Sequence, residues 1–292
     1  MELLVKKETL IAWSLAAMAA LFWIPALGAS ILLSSDDFAL LGGTAITSTG
    51  AVGTVISNGN VGLSPGATTG ITGFPPAAIL RGAIIATGPV TGQARLDLIT
   101  VRTGLANMPS DTNLSNVDLG GMTLFSGVYT FNAAATLNGA LVLDGQGQNG
   151  AFWVFQIGTS FTGSVNSSVT VINPGSNGGS DYGIFWDAGS EIIVGANNAL
   201  LGNYLSGTSV TLGAESGGSG RVLVLAAITL DQNSLNTHGG PGGNDWTGGL
   251  MYDQFGNVIA IPEPSTAALV GLPVAGLFLM RRFRRQAENG GL

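Results

Sequence analysis

The chain has 292 residues, 46 of them glycine, no cysteine and only 27 formal charges. That length suits one large domain or two small ones, and the missing cysteine excludes a disulfide framework and a thiolate metal site. Between residues 30 and 260 only Arg81, Arg95, Arg102 and Arg221 stand against 13 carboxylates, a formal balance of −9, so no nucleic-acid partner is expected.

Residues 1–29 begin with Lys6 and Lys7, continue as an apolar run from Leu10 to Leu27, and close on the small residues Gly28 and Ala29. Basic, apolar and small in that order describe a secretory signal peptide, to be removed by signal peptidase near residues 28–30. The alternative is an uncleaved membrane anchor, because the run approaches the length a bilayer needs.

From residue 30 onward the chain consists of short apolar alternations punctuated by glycine, asparagine and serine. Examples are SGVYTF (126–131), GALVLDG (139–145), AFWVFQIG (151–158), SEIIVGA (190–196), GTSVTLGA (207–214) and GRVLVLAAITLD (220–231). A period of two over four to six residues marks strands with a buried face. Many short strands leave a sandwich, a barrel or a β-helix. Inward Val, Ile and Leu, single-glycine turns and the lack of a dominant hairpin dipeptide favour the β-helix, although no strict repeat is visible.

One segment differs. In PVTGQARLDLITVRTGLANMP (89–109), Ala94, Leu98, Val101 and Leu105 recur at helical spacing. Thr91 is the expected N-cap and Pro109 the stop, with Gln93, Arg95 and Arg102 pointing away from the buried stripe. Beyond residue 235, the stretch 236–260 reads as a flexible lead. It holds the one histidine, His238, which has no cysteine partner for a zinc site. Asp245 and Asp253 follow without a calcium-loop signature.

The chain then reads Pro262-Glu263-Pro264, an apolar run at 267–280, and Arg281, Arg282, Arg284 and Arg285. Residues 261–285 resemble a PEP-CTERM sorting signal, with 286–292 as a cytoplasmic tail. The resemblance implies export in a Gram-negative bacterium, a transmembrane helix that anchors the precursor transiently in the inner membrane, and processing by an exosortase. The product would be secreted or held at the cell surface.

The central region, roughly 32–234, is similar to the ice-binding family often labelled DUF3494. The stretches carrying the resemblance are DDFALLGGTAITSTG, GNVGLSPGATTGITGF, LGGMTLFSGVYTF, GAFWVFQIGTSF and GIFWDAGSEIIVGANNALLGNYLSGTSVTLG, in family order. It implies that residues 30–235 form a discontinuous right-handed parallel β-helix, a triangular β-solenoid, with one long α-helix alongside. A flat face of that solenoid would adsorb to an ice crystal, without a cofactor.

Ice offers neither charge nor pocket, so a binder needs many small, stiff groups in register. Threonine supplies a methyl, a hydroxyl and a restricted χ1. Candidates on outward strand positions are Thr47 and Thr49, Thr69 and Thr72, and Ser209 and Thr211; the alternative for each is a surface or turn hydroxyl bonded to nearby backbone. Glu215, in AESG (214–217), is expected to bring a hydrated carboxylate to this surface. The competing function is a surface or extracellular-matrix structural protein on the same scaffold, with exopolysaccharide as a partner. Scattered carboxylates argue against an enzyme, because acid–base chemistry needs a converging pair.

Overall fold

The structure is a computed structural model that describes residues 30–240 and 243–261. Its strands wind into a three-sided solenoid. Each coil passes along a helix-side face, then an open face, then a third face, and all registered pairs in the two large sheets are parallel.

The stacking order departs from the chain order. Phe38–Gly42 pairs with the second half of Gly217–Val224, and Ala45–Thr49 pairs with Ala227–Asp231. The first full coil therefore stacks on the last, while Asn60–Leu63 and Ile84–Ala86 extend the pile outward. From there the helix Pro89–Ala106 carries the chain back along the solenoid to Thr112–Asn113 at the far end. The discontinuous solenoid with a helix alongside is what the resemblance implied.

Strands on the helix-side face are buried on both sides, which is why they read as unbroken apolar runs such as IFW and VLV. Their inward side chains form a column of rings. Phe155 stacks on Trp186 at 3.9 Å, and Trp186 on Tyr204 at 5.8 Å. Each such pair is worth about 0.5–1.5 kcal/mol beyond its area burial. Their outward side chains, Val128, Val154, Phe185, Leu205 and Leu223, meet Ala94, Leu98, Val101 and Leu105 of the helix. The apolar stripe thus lies where its spacing predicts.

Two helix details differ from expectation. The N-cap is Gly88, with Pro89 at the first turn, and Thr91 lies inside the helix and is buried. Proline is preorganised for that position and has no N–H of its own to satisfy, and no side chain caps this end. Arg102 turns back to the solenoid. Its Nε donates to Asp187 at 2.6 Å and its Nη2 to the Ala188 carbonyl at 2.6 Å.

The described part of the expected lead, 236–240 and 243–260, is also not loose. Trp246 is buried, its indole N–H donating to Ser219 at 2.8 Å, and Asn244 donates to the Gly179 carbonyl at 2.6 Å. Arg221, itself buried, pairs with Asp245 at 3.3 Å and with Asp36 at 2.6 Å, joining both ends of the described chain to the solenoid. Leu250–Tyr252 and Val258–Ala260 then form an antiparallel hairpin, with Val258 in the cluster beneath the helix. A large aromatic side chain and a buried ion pair hold what glycine-rich composition alone reads as mobile.

The membrane expectations need correction. Among the described residues no helix is long and apolar enough to cross a membrane. The helix at Pro89–Ala106 buries one stripe and carries Arg95, Asp97 and Arg102 elsewhere. The transmembrane helix, transient inner-membrane anchoring and exosortase processing are therefore not retained. The leader 1–29, the sorting residues Pro262, Glu263, Pro264, Arg281, Arg282, Arg284 and Arg285, and the tail 286–292 lie outside the described residues.

Candidate functional site

Two of the three faces are occupied or irregular. Helix and C-terminal hairpin cover the first, and the third mixes Thr123, Val142 and Thr170 with Phe125, Asp144 and Ile172 in its outward registers. The open face is different. Its seven strands stack in the order Ala135–Leu137, Phe161–Gly163, Glu191–Val194, Ser209–Leu212, Ala227–Asp231, Ala45–Thr49 and Ile71–Thr72.

Every one of these strands places an apolar residue inward: Ala135, Phe161, Ile192, Val210, Ile228, Ile46 and Ile71. The next residue must point outward. Reading across the register gives Thr136, Thr162, Ile193, Thr211, Thr229, Thr47 and Thr72. Six of seven consecutive rungs thus show a threonine in one column, repeating about every 4.8 Å. Thr47 is half-buried and the others are exposed. Thr72 donates to the Thr47 hydroxyl at 3.3 Å, linking the last two rungs.

Both margins of the face are rigid. Toward the helix side, Gly158, Gly189 and Gly207 turn the corner. A Cβ on any of them would come within 2.5 Å of a carbonyl oxygen of the adjacent coil, so coils close-pack there through glycine alone. Toward the third face, Ser167, Asn198, Ser216, Asn233 and Thr54 form a buried polar column. Asn198 Nδ2 donates to the carbonyls of Ser164, Gly195 and Ala196, and Asn233 Nδ2 to those of Gly213 and Ser216. These bonds satisfy carbonyls of the corner turns from within the column.

Of the sequence candidates, Thr47, Thr72 and Thr211 share the column. Thr49 lies at its margin opposite Asp231, its hydroxyl donating to the Leu230 carbonyl at 2.9 Å, which is the backbone-bonded alternative. Ser209 sits in a flanking column with Glu191, Ala227 and Ala45. Thr69 falls in the short 3-10 turn Thr68–Gly70, off the strands. Glu215 is not on the face at all. It occupies the corner turn with φ +60°, matching Asn166, Asn197 and Gln232 on neighbouring coils.

Sequence reading missed Thr136, Thr162 and Thr229. Their signal is an apolar–threonine–apolar or apolar–threonine–glycine triplet, ATL, FTG and ITL, whose spacing is too uneven to align without the register. At the end of the column Asp118 bridges to Thr136 and accepts its hydroxyl at 2.5 Å. Partial burial acts to raise the Asp118 carboxyl, but hydrogen bonds from Thr136, Gly120 and Asn138 outweigh it and hold the group below its ordinary value.

The fold is thus a three-sided parallel solenoid with one bare, regular wall; among the described residues no group of three His, Cys, Asp or Glu is placed to hold a metal. The family model described as Ice-binding-like matches residues 40–236, and the chain belongs to that family of non-enzymatic proteins. The chain is 34% identical over 261 residues to an ice-binding protein of Nostoc sp. (strain HG1), covering 88% of each. Among solved structures, the ice-binding protein of Antarctomyces psychrotrophicus superposes with a TM-score of 0.64 at 29% identity, over 71% of this chain and 97% of that one. The DUF3494 domain of Shewanella frigidimarina ice-binding protein 1 gives 0.63 at 26% identity, over 72% and 97%.

Proposed function

We propose that this protein adsorbs to ice through its open face, with the threonine column as the contact. The single observation that carries this reading is the register itself: six threonines on seven stacked strands, on a wall that neither the helix nor the C-terminal hairpin covers. Each threonine brings a methyl and a hydroxyl on a β-branched stem that loses little rotamer freedom on contact. The sheet beneath holds them at constant separation, so the ordering cost is met when the protein folds rather than when it meets the crystal. Family membership and the ice-binding names of the relatives support the same reading.

The experiment measures thermal hysteresis and the coarsening of ice grains during annealing, with a non-binding protein at equal concentration as control. Activity is expected from the parent protein and its loss from Thr211→Lys, which sets a long hydrated cation in the middle of the column. Normal coarsening and no hysteresis in the parent would end the ice reading. Full activity in the folded variant would move the contact to another surface.

A further inference from the structure

We infer that the adsorbing area is confined to the four rungs from Thr211 to Thr72, with Ile193 and Glu191 as its boundary; this rests on the ice-adsorption reading above. The column breaks once. Ile193, 39% exposed, stands where the other rungs carry threonine, and it has no hydroxyl to offer. Two residues earlier on the same strand, and so on the same side, is Glu191, exposed and opposite Ser209. Stripping water from an ionised carboxylate costs far more than one methyl or hydroxyl returns, so a contact that crossed this rung would lose more than it gained.

A second, independent observation lies beyond the break. Thr136 already donates its hydroxyl to Asp118, and Asn138 Nδ2 donates to the same carboxylate at 2.6 Å. The short arm of the column, Thr162 and Thr136, therefore runs between two carboxylates. On the long arm, Thr211, Thr229, Thr47 and Thr72 follow without interruption, flanked by Ser209, Ala227 and Ala45. The carboxylate at its other margin, Asp231, is half-buried under the Gly50 turn, where a Cβ would lie 2.6 Å from Oδ1.

The test compares matched substitutions on the two arms of the full-length protein: Thr229→Tyr, Thr162→Tyr, and each again in a Glu191→Gln/Ile193→Thr background. Circular dichroism confirms folding, and the readout is the lowest concentration that stops ice recrystallisation. Thr229→Tyr is expected to raise that concentration about tenfold and Thr162→Tyr less than about twofold. In the double-substituted background Thr162→Tyr becomes costly as well, because the boundary is gone. Equal losses from both tyrosines in the parent background overturn the boundary and leave the adsorption reading standing. No loss from either, in an active parent, overturns both the boundary and the choice of this face. An inactive parent overturns the ice reading, and the boundary with it.

Discussion

Arg102 Nε lies 2.6 Å from Asp187 Oδ1 across the seam between helix and solenoid, with both side chains largely buried. Burial pushes the Asp187 carboxyl up, and Arg102 is the charge that pulls it back. The pair therefore pins the helix to the wall while sparing the interior a lone charge.

Removing the arginine leaves that charge uncompensated. Arg102→Met is expected to cost about 3–5 kcal/mol of stability at neutral pH. The pH dependence follows from the direction of the shift. An acid whose folded pKa is raised favours the fold below its unfolded pKa and loses that contribution as pH rises through the folded value. Without Arg102 the Asp187 pKa rises further, so the deficit of the variant relative to the parent should shrink on acidification. Urea unfolding at several pH values between neutrality and 4 measures it. A deficit that is constant or grows in acid would contradict this account.

Glu215 holds φ +60° at a corner where Asn166 and Asn197 hold +61° and +57°. A glutamate has no short polar side chain to support the left-handed conformation, which costs about 1–2 kcal/mol for an ordinary L-residue. Glu215→Gly is expected to recover about 1 kcal/mol, visible as a higher denaturation midpoint at unchanged m-value. Ice activity should not change, since the residue is off the open face.

Trp246→Ala tests whether the C-terminal stretch belongs to the fold. The indole is 1% exposed and its N–H is bonded to Ser219. A cost of about 3–5 kcal/mol is expected from the cavity, together with faster proteolysis after residue 240. A loss within about 0.5 kcal/mol, the ordinary surface range, would mean the stretch is not part of the cooperative unit.

Thr211→Ser separates stiffness from hydrogen bonding. The hydroxyl remains, but the methyl is gone and χ1 is freed, so activity should fall about two- to threefold with stability almost unchanged. Thr211→Val makes the complementary change. Recrystallisation assays on the two variants side by side show which half of threonine the column uses.

Much of this architecture was legible before any coordinates. Alternation in VLVLAAITL and AFWVFQIG reports strands because period two is a property of the extended backbone, and Ala94, Leu98, Val101 and Leu105 report a helix for the corresponding reason. Thr47, Thr72 and Thr211 were readable as outward from the same parity. Trp246 was not readable as buried, since it stands among glycines and the polar residues Asn244, Asp245 and Thr247, and only packing across the seam gives it a partner.

Parity along one strand needs only the local chain, so the sequence by itself determined which strand residues face in, which face out, and that strands rather than helices build the molecule. Which threonines share a plane depends on how distant strands align. Ile193, Thr211 and Thr229 follow one another at 18-residue intervals, yet Thr47 joins Thr229 only because the first coil stacks on the last. Corner turns of unequal length hide that register in the linear text. Tertiary structure decided it, through glycine corners and buried asparagines that lock each coil onto its neighbour.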